Sequence, residues 1–414
     1  MVRYFQIGFI IVLFCIYACY YQKSEPVFKT GIWRANLTLD IQKSIILPFN
    51  FTLKKKDSGY EIEIINADEK ILLTDIKIQN DSIFIKFPIY DSEIKARIQD
   101  TVLTGSWFNY AKSDDYAIPF IAFHDQDHRF KKRASANNSV VGKWETVFNS
   151  DTDDLYKAIG KFNLNGHKLT GTFLTETGDY RFLEGITTTD SLFLSCFDGA
   201  HAFLFTAEIS SDTLLKGTFW SGKHWKEPWI AHKNKNARIG NPDSLTYLTS
   251  KNNSIEFSYP NTDDVMISLS DTRYKNKLVL VQIMGTWCPN CIDEGKYLKS
   301  LYDEYSDAGL EIIAIAFEKA RNSEKAKENI RKYKKSLNIP YEVLLADINS
   351  NKSKTSHQFP ALNKVISYPT LLYIDKNKTV RKIHTGFSGP GTGKYYSNFV
   401  KTNQLYIESL LKAS

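Results

Sequence analysis

Cysteine is scarce in this chain. Five occur in 414 residues, Cys15, Cys19, Cys196, Cys288 and Cys291, too few to staple a protein of this size as a disulfide scaffold. Zinc and haem spacings are missing too. His124 and His128 flank Asp125 and Asp127, but no third strong ligand has plausible spacing, so this stretch reads as a hydrated linker. The formal net charge of +7 is spread thinly and no basic stripe is interleaved with aromatics, which argues against a nucleic-acid partner. A phosphate loop is excluded within Gly386 to Lys394, because the pattern's first glycine falls on Ser388 and its closing hydroxyl residue on Tyr395. That segment reads as a turn, and no metal or cofactor is expected.

Long apolar runs are absent beyond the N-terminus. There, Arg3 precedes an apolar run from Tyr4 to Ala18 interrupted by Gln6, short for a membrane span of about 20 residues and better suited to a secretory signal. The run ends at Ile16-Tyr17-Ala18-Cys19, which resembles a bacterial lipobox in which Cys19 is acylated and becomes the first residue. The alternative is an uncleaved signal anchor. Both attach the chain to a membrane with its body exported.

What remains is rich enough to fold. Apolar residues make up 43% and charged ones 24%, and the length predicts two to four domains at roughly 100–200 residues each. From about 30 to 235 the pattern alternates with period two, as in Tyr60-Glu-Ile-Glu-Ile-Ile and Leu192-Phe-Leu-Ser-Cys-Phe, with no long helical stretch. This half also repeats. Gly31-Ile-Trp33 recurs as Gly142-Lys-Trp144, Asp81-Ser-Ile-Phe-Ile as Asp190-Ser-Leu-Phe-Leu, Asp100 to Gly105 as Asp212 to Gly217, and Pro119-Phe-Ile-Ala122 as Pro228-Trp-Ile-Ala231. A period of about 110 residues is too long for a solenoid unit, so each copy is expected to be a small β domain, barrel or sandwich. Polar stretches from Asp125 to Asn138 and from Lys233 to Ser254 separate the parts. Cys196 shares a strand face with Leu192 and Leu194 and reads as core. The tryptophans at 33, 144, 220, 225 and 229 read as core rather than pocket.

From about Leu278 strands alternate with helices. Leu278 to Met284 is a buried-strand run leading into Trp287-Cys288-Pro289-Asn290-Cys291. Disulfide exchange needs one exposed thiolate to attack and a second thiol to resolve the mixed disulfide. Cys288 at a helix start, where free N–H groups and the macrodipole favour a negative sulfur, is the expected nucleophile, and Cys291 on the inner side the resolving thiol. At 100° per residue Leu298, Leu301, Tyr302 and Tyr305 share the Cys291 face, whereas Asp293, Lys296, Ser300, Asp303 and Glu304 fall opposite. Glu294 lies inside the apolar stripe. Burial there would raise its pKa and let it exchange a proton with the resolving thiol. Downstream, Tyr368-Pro369-Thr370 opens another apolar strand.

Residues from about 255 to 412 resemble the TlpA/ResA branch of thioredoxin-like proteins found attached to bacterial envelopes. The resemblance is carried by Trp287 to Cys291, Glu294, Tyr368-Pro369-Thr370 with the strand ending in Asp375, and Gly386. It implies a redox-active Cys288–Cys291 pair, a modulating Glu294, and a cis Pro369 packed beside the cysteines, leaving the backbone of Tyr368 to dock a substrate. It implies partners too: envelope protein thiols or disulfides, and a membrane-linked electron donor. Lys296 stands where many relatives have proline, and the Pro289-Asn290 dipeptide leaves the redox direction open. Thr175 to Gly185 and Cys196 to Ala200 resemble N-terminal regions of large TlpA-like proteins of Bacteroidetes. The expected architecture is a signal or lipobox at 1–19, β-rich repeats at 28–124 and 139–233, and an α/β thioredoxin-like domain at 253–414. The expected function is extracytoplasmic thiol–disulfide exchange. Two alternatives stand beside it: a thiol peroxidase of the redoxin/AhpC-TSA type, although Thr286 is two rather than three residues before Cys288, and a ligand-binding envelope lipoprotein whose β repeats do the main work.

Overall fold

The computed structural model describes residues 28–131, 136–249 and 253–413. The signal and lipidation reading at Cys19 falls outside the described residues. Two barrel-like β units precede a thioredoxin-like α/β region.

The first unit is a meander of nine antiparallel strands from Gly31 to His124. Its first strand, Gly31–Asp40, pairs with its last, Ala117–His124, and curls the sheet round on itself. Period-two alternation drives this, since Trp33, Ala35 and Leu37 point inward and are fully buried. The second unit repeats the path between Gly142 and Lys233 and closes further, with strand Lys168–Thr175 pairing on one side with Tyr156–Asn165 and on the other with Leu183–Thr187. The copies agree in detail. Trp33 pairs with His124, and Trp144 with Lys233. Each indole N–H donates to the carbonyl four residues earlier, Lys29 at 2.9 Å and Val140 at 2.8 Å.

The units pack face to face. In strand Ser191–Phe197, Leu192, Leu194 and Cys196 enter the second unit's core, while Phe197 inserts into the first, 4.4 Å from the Phe49 ring centroid. Burial on both faces distinguishes this strand from a half-solvated one. The polar stretch between the copies is not solvated throughout: Asp125 and Asp127 are exposed, but Arg129 is buried between the units and donates to Ile65 O, Ser195 O and Ser195 Oγ. Among the tryptophans, 33, 144 and 229 are core, Trp220 is half-buried, and Trp225 is 56% exposed. Trp225 is the first residue of the last strand, at the barrel's end, and its expected core role is not observed.

In the α/β region five strands lie in the spatial order Glu342–Ile348, Leu310–Glu318, Leu278–Met284, Thr370–Ile374, Val380–Thr385. The first three are parallel and the last two run antiparallel to their neighbours. All seven residues of the central strand Leu278–Met284 are buried, as expected of a strand covered on both faces. Helices α1 (Pro289–Tyr305), α2 (Ser323–Leu337), α3 (Lys352–His357) and α4 (Lys394–Lys412) surround it. The sequence reading lacked α3, whose Lys-Ser-Lys-Thr-Ser-His carries no apolar period and is marked only by its Asn351 cap. The stretch after Lys233 is docked: Asp243 bonds His384 Nδ1 at 2.6 Å, and the buried Thr246 hydroxyl accepts from Thr385 at 2.9 Å. Among the described residues no helix is long and apolar enough to cross a membrane.

Candidate functional site

The central strand ends at Met284, and the turn Gly285–Trp287 delivers the chain to α1. Two residues of the neighbouring strand hold that turn. Trp287 donates its indole N–H to Phe317 O at 2.9 Å, and Thr286 gives its backbone N–H and hydroxyl to the two oxygens of Glu318 at 2.8 and 2.7 Å. Gly285 leaves the room this requires, since a Cβ there would stand 2.4 Å from the Trp287 indole nitrogen. Glu318 is fully buried, which pushes its carboxyl up to about 7 against the opposing bonds from Thr286.

Cys288 is the N-cap of α1. Its sulfur accepts the Cys291 N–H at 3.3 Å and its thiol can donate to Tyr368 O at 3.5 Å, while Pro289 occupies the first helical turn, where a missing N–H costs nothing. Both cysteines are free thiols. Cys288 is 8% exposed, whereas Cys291 is sealed, and burial followed by the adjacent Cys288 sulfur pushes its thiol well above the ordinary range. Glu294 lies one turn further and is fully buried. Burial raises its carboxyl to about 8, opposed by the N–H of Gln282, which donates to Glu294 Oε2 at 2.8 Å and to Cys291 O at 3.3 Å. The other carboxylate oxygen has no protein partner.

Gln282 was missed by the sequence reading. The signal was there: it is the one polar residue in an otherwise apolar buried strand. The Tyr368–Pro369 bond is cis, and the Tyr368 ring stands edge-on to Trp287 at 5.6 Å. Cys288, Cys291, Glu294, Trp287, Tyr368 and Pro369 are thus brought together. Cys19 lies outside the described residues.

The larger omission is the opposite wall. The second β unit lies against the cysteines, and Leu155 to Lys157, Thr175 to Tyr180, His201 and Phe203 face Trp287 to Asn290 and Tyr368 across a cleft of about 750 Å³. Ser367 Oγ donates to Thr177 O at 3.1 Å, Gly389 N to Asp179 Oδ2 at 2.5 Å, and Asn290 Nδ2 to Asp179 O at 3.5 Å. Gly178, at φ +150°, allows this approach, because a Cβ there would meet Asn290 Nδ2 at 2.1 Å.

Asp293, expected on the solvent side of α1, is 6% exposed. Arg181 of the second β unit covers it and bonds it directly. The same guanidinium reaches Glu69 of the first unit at 2.6 Å and Asp198 at 3.5 Å. Burial works against the Arg181 charge, but Asp293, Glu69 and Asp198 outweigh it and hold its pKa well above the usual value. One side chain therefore ties together all three parts of the chain.

Residues 251–383 match the model of the AhpC/TSA family. Over 117 residues the chain is 32% identical to the thiol-disulfide oxidoreductase ResA of Geobacillus thermodenitrificans, a match covering 28% of this chain and 58% of that relative. It is 29% identical over 131 residues to the thioredoxin-like protein YneN of Bacillus subtilis, covering 32% of this chain and 68% of that one. A solved structure titled a putative thiol:disulfide interchange protein DsbE from Chlorobium tepidum overlaps 38% of this chain and 93% of its own, at 18% identity and a TM-score of 0.29. A putative protein disulfide isomerase from Bacteroides thetaiotaomicron overlaps 43% and 92%, at 17% identity and a TM-score of 0.29. The β units lie outside the matched family segment. Residues 251–383 thus carry the sequence pattern of the AhpC/TSA family within a thioredoxin-like α/β region.

Proposed function

We propose that this chain is an extracytoplasmic thiol–disulfide oxidoreductase that exchanges disulfides with envelope proteins through Cys288 and Cys291. The observation that carries the reading is the pairing of a helix-capping sulfur at the cleft with a sealed thiol one turn deeper beside a buried carboxylate. In the reducing direction the Cys288 thiolate attacks a substrate disulfide, forming a mixed disulfide as the other substrate sulfur leaves and takes up a proton. Cys291 passes its proton to Glu294 and attacks Cys288, forming the Cys288–Cys291 disulfide and releasing the second substrate thiolate. Two electrons pass to the substrate. The same steps reversed oxidise a dithiol, and a membrane-linked thiol donor would restore the reduced pair. Trp287, Tyr368 and Pro369 form the docking edge. The units are taken as 28–124, 139–233 and 253–414, with attachment through acylated Cys19 or an uncleaved signal anchor.

The test is trapping. A Cys291→Ser variant should accumulate a mixed disulfide with its envelope substrates, and Cys288→Ser should lose disulfide exchange by about 10³-fold or more. Full activity of Cys288→Ser would sink the mechanism. The family match favours a peroxidase as second reading, in which Cys288 would reduce a peroxide and become a sulfenic acid. Its weakness is Thr286, whose hydroxyl is committed to Glu318 rather than to the thiol. Rapid peroxide consumption by the reduced chain would promote it.

A further inference from the structure

Lysines from all three parts of the chain stand in or near the cleft that holds the thiol, one of them in its wall. Lys157 lines the cleft from the second β unit. Lys319, following strand Leu310–Glu318, holds its ammonium 3.8 Å from the centroid of the Trp287 ring. Lys352 opens α3; burial lowers its pKa and that of Lys319, and charge on the Cys288 sulfur raises both. Lys112 of the first unit and Lys223 of the second flank the Tyr116 ring, each at 4.9 Å, and Lys112 feels the charge of Lys319.

Among the described residues no carboxylate lies within 4.0 Å of any of these five ammonium groups. Two carboxylates, Glu176 and Asp179, also line the cleft, and both are turned to other partners. Asp179 accepts the backbone N–H groups of Arg181 and Gly389, and Glu176 is turned onto Gly240, where a Cβ would meet its Oε1 at 2.4 Å. Asp115 approaches Lys223 alone of the five. Unpaired cations around a walled cleft focus a positive potential on whatever enters.

Shape restricts what that is. At about 750 Å³ the cleft falls within the roughly 300–1,000 Å³ of pockets that hold ligands of drug size. The second β unit occupies the side from which a folded domain would approach the docking edge. We infer that the cleft selects an extended polypeptide segment whose reacting cysteine is flanked by aspartate or glutamate, with Lys157, Lys319 and Lys352 reading the flanking charges.

This rests on the thiol–disulfide reading and can be tested apart from it. The full chain, reduced in advance, is mixed with three disulfide-bridged peptide dimers that differ only in aspartate, serine or lysine beside the cysteine. Each event oxidises one Cys288–Cys291 dithiol and turns one peptide disulfide into two thiols, so no further donor is needed. At low salt the aspartate peptide should react about tenfold faster than the serine peptide and the lysine peptide slowest, with the gap closing in 0.5 M salt as the screening length falls below about 5 Å. Reversing charge with Lys157→Glu and Lys352→Glu should invert the aspartate-to-lysine ratio. Equal rates for the three peptides, an aspartate preference unmoved by salt, or one that survives both reversals would overturn this inference alone. If no peptide were reduced, the thiol–disulfide reading would fall and take the inference with it.

Discussion

At matching places in the two β units the chain takes different courses. In the first, Asn66, Ala67 and Asp68 turn into a five-residue strand, Glu69–Leu73, that extends the sheet. In the second only Gly178 and Asp179 pair, and the backbone then swings onto the cysteine-bearing domain. Leu72, at the place of Arg181, is 52% exposed, whereas Arg181 is buried among three carboxylates. Pro48, buried where its carbonyl accepts from Ser195 of the second unit, stands where that unit has Lys157 at the cleft. A shared scaffold thus carries two surfaces, and the difference lies in one connecting segment, as expected where rigid strands position functional loops.

The sharpest way to break this comparison is to remove the tie. Arg181→Ala strips Glu69 of its ion-pair partner and leaves buried Asp293 and Asp198 with only Lys296 and His201, and should cost about 3–5 kcal/mol, read as a lower denaturation midpoint of the full chain. A cost no larger than that of a surface change would mean the units dock without it.

Next in size is the pH dependence set by Glu294. Its carboxyl is raised from 4.5 to about 8, so the folded chain holds the proton more tightly than the unfolded one between those values. Its contribution to stability is fully present below the ordinary carboxyl pKa and is lost as pH rises through about 8, by on the order of a few kcal/mol. Glu294→Gln should remove that loss and be more stable than the parent at pH 9, measured by urea unfolding of the reduced protein. The variant should also flatten the pH profile of the step that resolves the mixed disulfide. Parallel curves for the two proteins would rule out the titration. Glu318 titrates in an overlapping window, up to about 7, so the difference between the two curves is the quantity to read.

The smallest effect is the counterpart in the first unit. Leu72→Ala should change stability by no more than about 0.5 kcal/mol and leave disulfide exchange untouched, because its side chain is largely exposed. A loss comparable to that of Arg181→Ala would erase the distinction between the units.

Much of this was legible in residue order. The repeat spacing anticipated two closed meanders, and the apolar run before Cys288 anticipated the central strand. The 100° helical step put Glu294 beside Cys291. The same step put Asp293 in solvent, and there it failed, because a helix wheel ranks faces only against its own domain and Arg181 arrives from another. The burial of Arg129, within the polar stretch that separates the copies, was illegible for the same reason, since a charged residue between domains looks identical in sequence whether water or a second barrel covers it.

Residue order alone determined the cysteine spacing, the helix cap and the buried carboxylate, all consequences of contacts three or four residues apart and of strand alternation. Only the tertiary structure decided that the thiol would lie in a walled cleft rather than on an open surface. The contact responsible, Arg181 with Asp293, joins residues 112 apart in sequence. Its energy comes from charges that find one another only after each domain has folded, and local periodicity holds no record of it.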